Sequence, residues 1–237
     1  MKLSKDQIKY IDDYLKHHKF KYWDIRFEVL DHIVNTVEDK MEQGITFDDA
    51  MIEVHQSFGN SMKMFWNTGI EYSIFANGDG YKNLIRSKKN ELNKKYRNLM
   101  FKEFKNFFKS VRNTVLLLIF IMIDIKLFNI LEHKQFLRIN LLLFGVALLV
   151  SVFYLVKFYI KNNKSYNIEI SQSQLTIFFT MFYLVSLITK SSLPAYISYS
   201  ILAGYTLLSF IWFFTGLKVY RKTLSKYTQL YKELQLL

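Results

Sequence analysis

Two charged side chains, Asp124 and Lys126, stand well inside an apolar stretch of this 237-residue chain. An ionisable group at membrane depth is a functional-site candidate by default, because something must offset its desolvation. Counted from Asn113 at the helical rise, Asp124 lies about 17 Å along the segment, past the midplane of a bilayer. Lys126 is nearer the end, where its stem can snorkel to the interface. Residues two apart do not share a helical face, so the pair is not read as an internal ion pair. The plain alternative for Asp124 is a structural bond to a Thr, Ser or Tyr on a neighbouring helix. A proton relay would call for carboxylates or histidines in the other apolar runs, which carry none.

The histidines are His17, His18, His32, His55 and His133. Glu28 and His32 are four apart, as two metal ligands on one helix face can be. No motif supplies a third ligand, and a surface helix pair explains them equally well. The absence of cysteine excludes disulfides, thiolate metal sites and cysteine nucleophiles. HExxH, GxSxG and GxGxxG are absent. No catalytic residue, metal or cofactor is therefore assigned, and the expectation is a protein without enzymatic activity. Ala76-Asn77-Gly78-Asp79-Gly80 reads as a turn-rich hinge. It lacks the Lys-Ser/Thr that a phosphate loop needs after its glycines.

The elements that must carry these residues are helices. Half of the chain is hydrophobic (51%), with eight glycines and one proline, too little turn punctuation for an all-β fold. Uncharged runs occupy 139–156, 171–189 and 191–217, at 18, 19 and 27 residues, and Asn113–Leu131 adds 19 more around Asp124 and Lys126. Each is long enough for about 30 Å of hydrocarbon at about 1.5 Å per residue. The pattern predicts an all-α chain with four transmembrane helices at 113–131, 139–159, 172–189 and 196–217, within a membrane domain at 113–222. Residues 223–237 then form a tail. Ala147/Ser151 and Ser200/Gly204 are small pairs four apart that would let helix backbones approach. Internal packing explains them most simply, and the same surfaces could hold a homodimer or a partner subunit.

Charge divides the chain unevenly. The first 60 residues hold 12 acids against 8 Lys and Arg, and the remainder holds 8 acids against 24. Between Tyr81 and Arg112 there are 11 basic residues and two acids, Glu91 and Glu103. Lys157, Lys161 and Lys164 follow the second run, and Lys218, Arg221, Lys222 and Lys226 follow the last. Excess Lys and Arg stay on the cytoplasmic side, which puts both termini there. The charged N-terminus has no short apolar core, so no cleaved signal peptide is expected. Within 61–112, a hinge is followed by an amphipathic juxtamembrane helix. There Leu92, Tyr96, Leu99, Phe104, Phe107, Phe108 and Val111 recur at helical spacing among Lys94, Lys95, Arg97, Lys102, Lys105, Lys109 and Arg112. Such a helix can lie in the headgroup layer with its cations on anionic lipid. Nucleic-acid binding through a basic aromatic patch is the alternative, disfavoured because a positive-inside flank accounts for the same charges.

Residues 1–60 read as a separate three-helix module. Ser4-Lys5-Asp6-Gln7 has the capping-box form, with Leu3 and Ile8 placed as a staple. Ile8, Ile11 and Leu15 mark one face of the first helix. In the second, Trp23, Phe27, Leu30, Val34, Val37 and Met41 form a narrow stripe at alternating spacings of four and three, suited to partner helices. Gly44 ends it. Thr46-Phe47-Asp48-Asp49 opens a third helix with acids in its first turn. Phe47, Met51, Val54 and Phe58 face inward, and Gly59 supplies the left-handed stop. Phe65, Trp66 and Ile70 are candidates for additional apolar cover, and the acidic module could rest on the basic 81–112 segment.

The runs Phe27-Glu28-Val29-Leu30-Asp31-His32-Ile33, Gly44-Ile45-Thr46-Phe47-Asp48-Asp49-Ala50 and Ser57-Phe58-Gly59 resemble the HAAS domain, the helix-turn-helix-associated alpha-helical signalling domain of bacterial membrane proteins. Its pattern is an acid-x-x-x-His-Ile/Leu helix, a Gly-x-Ser/Thr turn, an Ala-containing helix and a closing Phe-Gly. The resemblance covers roughly residues 3–60. It implies a signalling or scaffold role in the bacterial cytoplasmic membrane, without catalysis, and a PadR-type transcription regulator as partner. Related prefix domains stand in front of transporter permeases.

Three functions from different classes follow. The first is a membrane-anchored module that binds a cytoplasmic protein through the Trp23-to-Met41 stripe. The second is an accessory subunit of a transporter or envelope complex. The third is a membrane enzyme acting on lipid, with Asp124 as its one intramembrane candidate.

Overall fold

The computed structural model describes residues 2–60, 79–160, 164–176 and 194–235. It is all-helical, with eight helices and no strand among the described residues. They are α1 (Lys5–His17), α2 (Trp23–Glu42), α3 (Phe47–Ser57), α4 (Asp79–Lys109), α5 (Val111–Ile130), α6 (His133–Ile160), α7 (Tyr166–Thr176) and α8 (Ala195–Gln235). The chain forms two compact units, Met1–Asn93 with Asn163–Tyr166, and Lys94–Asn162 with Asn167–Leu237.

In the first unit the local signals for α1 to α3 act as their chemistry dictates. Ser4 N donates to Gln7 Oε1 (2.8 Å) and Gln7 N to Ser4 Oγ (3.3 Å), so each residue satisfies an orphan amide of the other. Asp49 N likewise donates to the Thr46 hydroxyl. Gly59 ends α3 at φ +80°, a conformation that suits glycine. The core joins Ile11, Tyr14, Leu15, Phe20, Ile33, Val37, Ala50, Met51 and Val54, all buried.

The module does not close at residue 60. Asp79 and Gly80, expected in a hinge, are already helical, and the side chain of Tyr81 has no exposed surface. Gly80 is required by close approach, since a Cβ there would stand 2.0 Å from the Phe58 carbonyl oxygen. Tyr81 thus supplies apolar cover that a 60-residue unit lacks. The expected cover from Phe65, Trp66 and Ile70, and hinge residues 76–78, lie outside the described residues.

The second unit is built from the rest of α4 with α5 to α8. Met100 and Tyr96 of α4 pack on Trp212 and Val219 of α8, and Ala147, Ile168, Leu175, Phe213 and Tyr220 form a neighbouring cluster. Among the described residues, two helices are long and apolar enough to cross a membrane, Val111–Ile130 and Tyr196–Leu234 within α8. Arg138–Tyr154 of α6 is a shorter apolar stretch. The expected span 172–189 begins at the end of α7, and the remainder lies outside the described residues. Two boundaries differ from expectation. Arg112 opens α5, because the chain turns extended at Ser110. The expected tail from 223 continues α8 as far as Gln235, since no Gly or Pro interrupts 218–235 and its Lys, Leu and Gln content favours a helix.

Candidate functional site

The six-residue stripe on α2 separates into two rows. Trp23, Leu30 and Val37, seven apart, are buried in the first unit's own core. Phe27, Val34 and Met41, also seven apart, are half-buried. The split follows from where α2 packs. Its inward face is centred on Val29 and Ile33, so the stripe straddles the edge between core and surface. Phe27 meets the Trp23 ring at 6.2 Å in an edge-on arrangement. Three of the six residues are therefore taken up by the unit's own core, and the other three keep partly exposed apolar surface.

The first unit also buries a polar cluster that sequence spacing does not reveal. The Tyr14 hydroxyl lies 2.5 Å from His55 Nδ1 and donates to the Tyr81 hydroxyl at 2.7 Å. His18 stacks at the edge of Tyr14, with ring centroids 4.7 Å apart. Burial, reinforced by the neighbouring Tyr81, drives the Tyr14 hydroxyl pKa far above its ordinary value. Burial likewise raises Tyr81, against a smaller opposing effect of the Tyr14 hydrogen bond. Both hydroxyls stay protonated at neutral pH and act as hydrogen-bonding groups, not as bases.

At the opposite end of α2 a carboxylate joins two helix starts. Trp23 N donates to the Lys164 carbonyl (3.1 Å), which satisfies an amide that Tyr22 leaves uncapped. In return Tyr166 N and the Ser165 hydroxyl donate to the Asp24 carboxylate at 3.0 and 2.7 Å. An anion at the start of α7 is also favoured by the helix dipole. Lys89 Nζ sits 4.9 and 5.1 Å from the rings of Tyr22 and Tyr166. Lys88 pairs with Glu28 at 2.5 Å, and its pKa is raised chiefly by that bond. The acidic module thus rests on the start of the basic segment, as the charge division suggested. The Glu28–His32 pair does not form a ligand set, because Glu28 holds Lys88 and His32 lies edge-on to Phe58. Among the described residues no group of three or more acids and histidines could hold a metal.

The seven cations singled out as membrane-facing, Lys94, Lys95, Arg97, Lys102, Lys105, Lys109 and Arg112, are all exposed. The apolar side of their helix behaves differently from the expectation. Tyr96, Met100 and Phe104 cover Trp212, Val219 and Ile170, so much of that face meets protein and not headgroups. The Tyr96 hydroxyl donates to Asn167 (3.1 Å) and Trp212 Nε1 to the Gln174 carbonyl (2.8 Å), which locks the short polar α7 into this packing. Leu99, Phe101 and Phe108 remain exposed beside the cations.

Asp124 lines a cavity of about 320 Å³ with Phe128, Phe136, Tyr199, Ser200 and Gly204. Asn140 of α6 interacts with its carboxyl, and Tyr199 and Ser200, of the residue types expected beside it, share the cavity wall. Lys126 is exposed and apart from this cavity. The Ser200/Gly204 pair lines the cavity and makes no close backbone approach, since a Cβ on Gly204 would meet nothing within 4 Å. Ser151 and Ala147, by contrast, are both buried.

Comparison with protein-family models, with curated proteins and with solved structures finds no match for this chain.

Proposed function

We propose that this chain is a membrane-anchored interaction protein without catalytic activity, whose N-terminal helical unit receives a cytoplasmic protein. The observation that carries this reading is the half-buried row of Phe27, Val34 and Met41 on α2, whose other apolar positions are covered within the unit. The row advances about 10 Å per step of seven residues. Exposed Asp31, Asp39 and Glu42 stand beside it. An amphipathic helix with basic flanks complements such a row in shape and charge. The HAAS resemblance suggests a PadR-type regulator in that role.

The anchor in this reading is the set of apolar helices. No residue of α5 is buried, and Val111, Met122 and Ile130 are among its most exposed. An apolar surface of that extent marks a lipid or protein interface. The charge distribution favours four spans at 113–131, 139–159, 172–189 and 196–217, with both termini on the cytoplasmic side.

A cross-linked pull-down from membranes tests the proposal, with the full chain, Phe27→Asp and Lys5→Ala as baits. Capture of a DNA-binding regulator by wild type and by the exposed-site control, but not by Phe27→Asp, is the expected result. Equal capture by all three sinks the assigned surface. Capture of a permease would move the role to accessory subunit.

A further inference from the structure

Four ammonium groups and one carboxylate surround a groove between the second half of α4 and the polar end of α8. Lys218, Lys222 and Lys226 recur every four residues on α8, and Lys95 and Glu103 face them from α4 across a volume of about 280 Å³. Glu103 is engaged by Lys218 Nζ at 2.8 Å. Among the described residues no carboxylate pairs with Lys95, Lys222 or Lys226 within ion-pair distance. Like charges held this close repel, and an anion among them relieves the repulsion.

A second, independent observation says what else the ligand carries. The groove begins where the uncharged run of α8 ends, at Leu217–Lys218. Leu99 of α4 lines it, and Phe214, one turn before Lys218 on α8, exposes large apolar surface. That surface leads into α5, which buries no residue at all. A free phosphate would use the lysines and leave the apolar residues in water. A molecule that joins an anion to acyl chains satisfies both.

We propose that this groove holds the phosphate of an anionic glycerophospholipid, with the acyl chains lying along the exposed apolar residues of α4 and α8. The site rests on the reading of α5 and α8 as membrane-crossing. It differs from a diffuse basic flank in having defined walls on two helices.

Native mass spectrometry of the full chain released from detergent tests it, with phosphatidylglycerol, phosphatidylcholine and inorganic phosphate as probes. Lys218→Gln/Lys222→Gln/Lys226→Gln removes the α8 ridge. Lys102→Gln/Lys105→Gln/Lys109→Gln removes the same charge from α4 outside the groove, and circular dichroism confirms that both remain helical. The expected result is a saturable single adduct of phosphatidylglycerol, weakened at least about tenfold in the ridge variant and retained in the α4 variant. Equal weakening in both variants, or equal binding of phosphatidylcholine by wild type, overturns the site. Displacement of the lipid by excess inorganic phosphate overturns the lipid assignment in favour of a free anion. Alkaline carbonate extraction of the same membranes reports separately on the span reading: release of the chain overturns that reading, whereas loss of headgroup selectivity in a retained chain overturns the groove alone.

Discussion

Replacing Tyr81 by alanine removes a fully buried aromatic ring from among Tyr14, His18, Phe20, His55 and Phe58, all within 6 Å between ring centroids. Truncating a buried aromatic side chain costs about 3–5 kcal/mol, because the cavity collapses only in part. At about 1.4 kcal/mol per factor of ten, amide exchange in α1–α3 should accelerate by roughly 10² to 10³ if these helices open as one unit. Tyr81→Phe keeps the ring and removes one hydroxyl, while Tyr14 retains His55 as a partner. That loss is worth about 1 kcal/mol, or roughly fivefold in exchange. Hydrogen–deuterium exchange on the full chain in detergent separates the two variants. Unchanged exchange in Tyr81→Ala would show that α1–α3 are complete without α4 and refute the boundary drawn here. Equal acceleration in Ala and Phe variants would assign the effect to the hydroxyl network alone.

Three further outcomes follow from the same geometry. Because Tyr14 and Tyr81 hold their protons more tightly when folded, the stability they confer is complete below their unfolded value and falls as pH rises above it. Each contributes a decline of up to about 1.4 kcal/mol per pH unit above about pH 10, so denaturation midpoints should drop there, and a Tyr14→Phe/Tyr81→Phe variant should flatten the drop. Lys19 adopts φ 68° without being glycine; Lys19→Gly should raise the melting temperature of the first unit by relieving about 1 kcal/mol of strain, and a lowered midpoint would contradict this. Asp24→Ala deprives Tyr166 N and Ser165 of their acceptor, so amides at the start of α7 should exchange about tenfold faster, while unchanged exchange would mean the carboxylate does not cap that helix.

What the sequence disclosed was what is local. Ser4–Gln7, Thr46–Asp49 and Gly59 act within a turn or two, and their consequences could be written down before any fold was known. The closure of the first unit could not, because Tyr81 meets Tyr14 across 67 residues and no periodicity encodes that distance. The amphipathic spacing of Leu92, Tyr96 and Leu99 was legible, but the medium covering that face was not: spacing is the same whether the neighbour is lipid or Trp212. The α2 stripe shows the same limit, since 3–4 spacing does not tell Val37, fully buried, from Val34, half-buried. The polar helix α7 was hidden by counting charges alone. Asn167, Ser171, Gln172 and Gln174 carry none, yet they are buried polar groups in a protein environment and not lipid-facing residues. Two further signals are legible in the sequence: the absence of Gly and Pro after residue 217, and the four-residue recurrence of Lys218, Lys222 and Lys226.

Site-specific photo-crosslinking in intact cells tests the central claim most directly, with the reactive group placed in turn at Phe27, Val34, Met41 and, as control, exposed Gln56 on α3. The account predicts one common adduct from the three α2 positions, identified as a cytoplasmic DNA-binding protein, and none from position 56. The same adduct at all four positions, or none at any of the three, would contradict it.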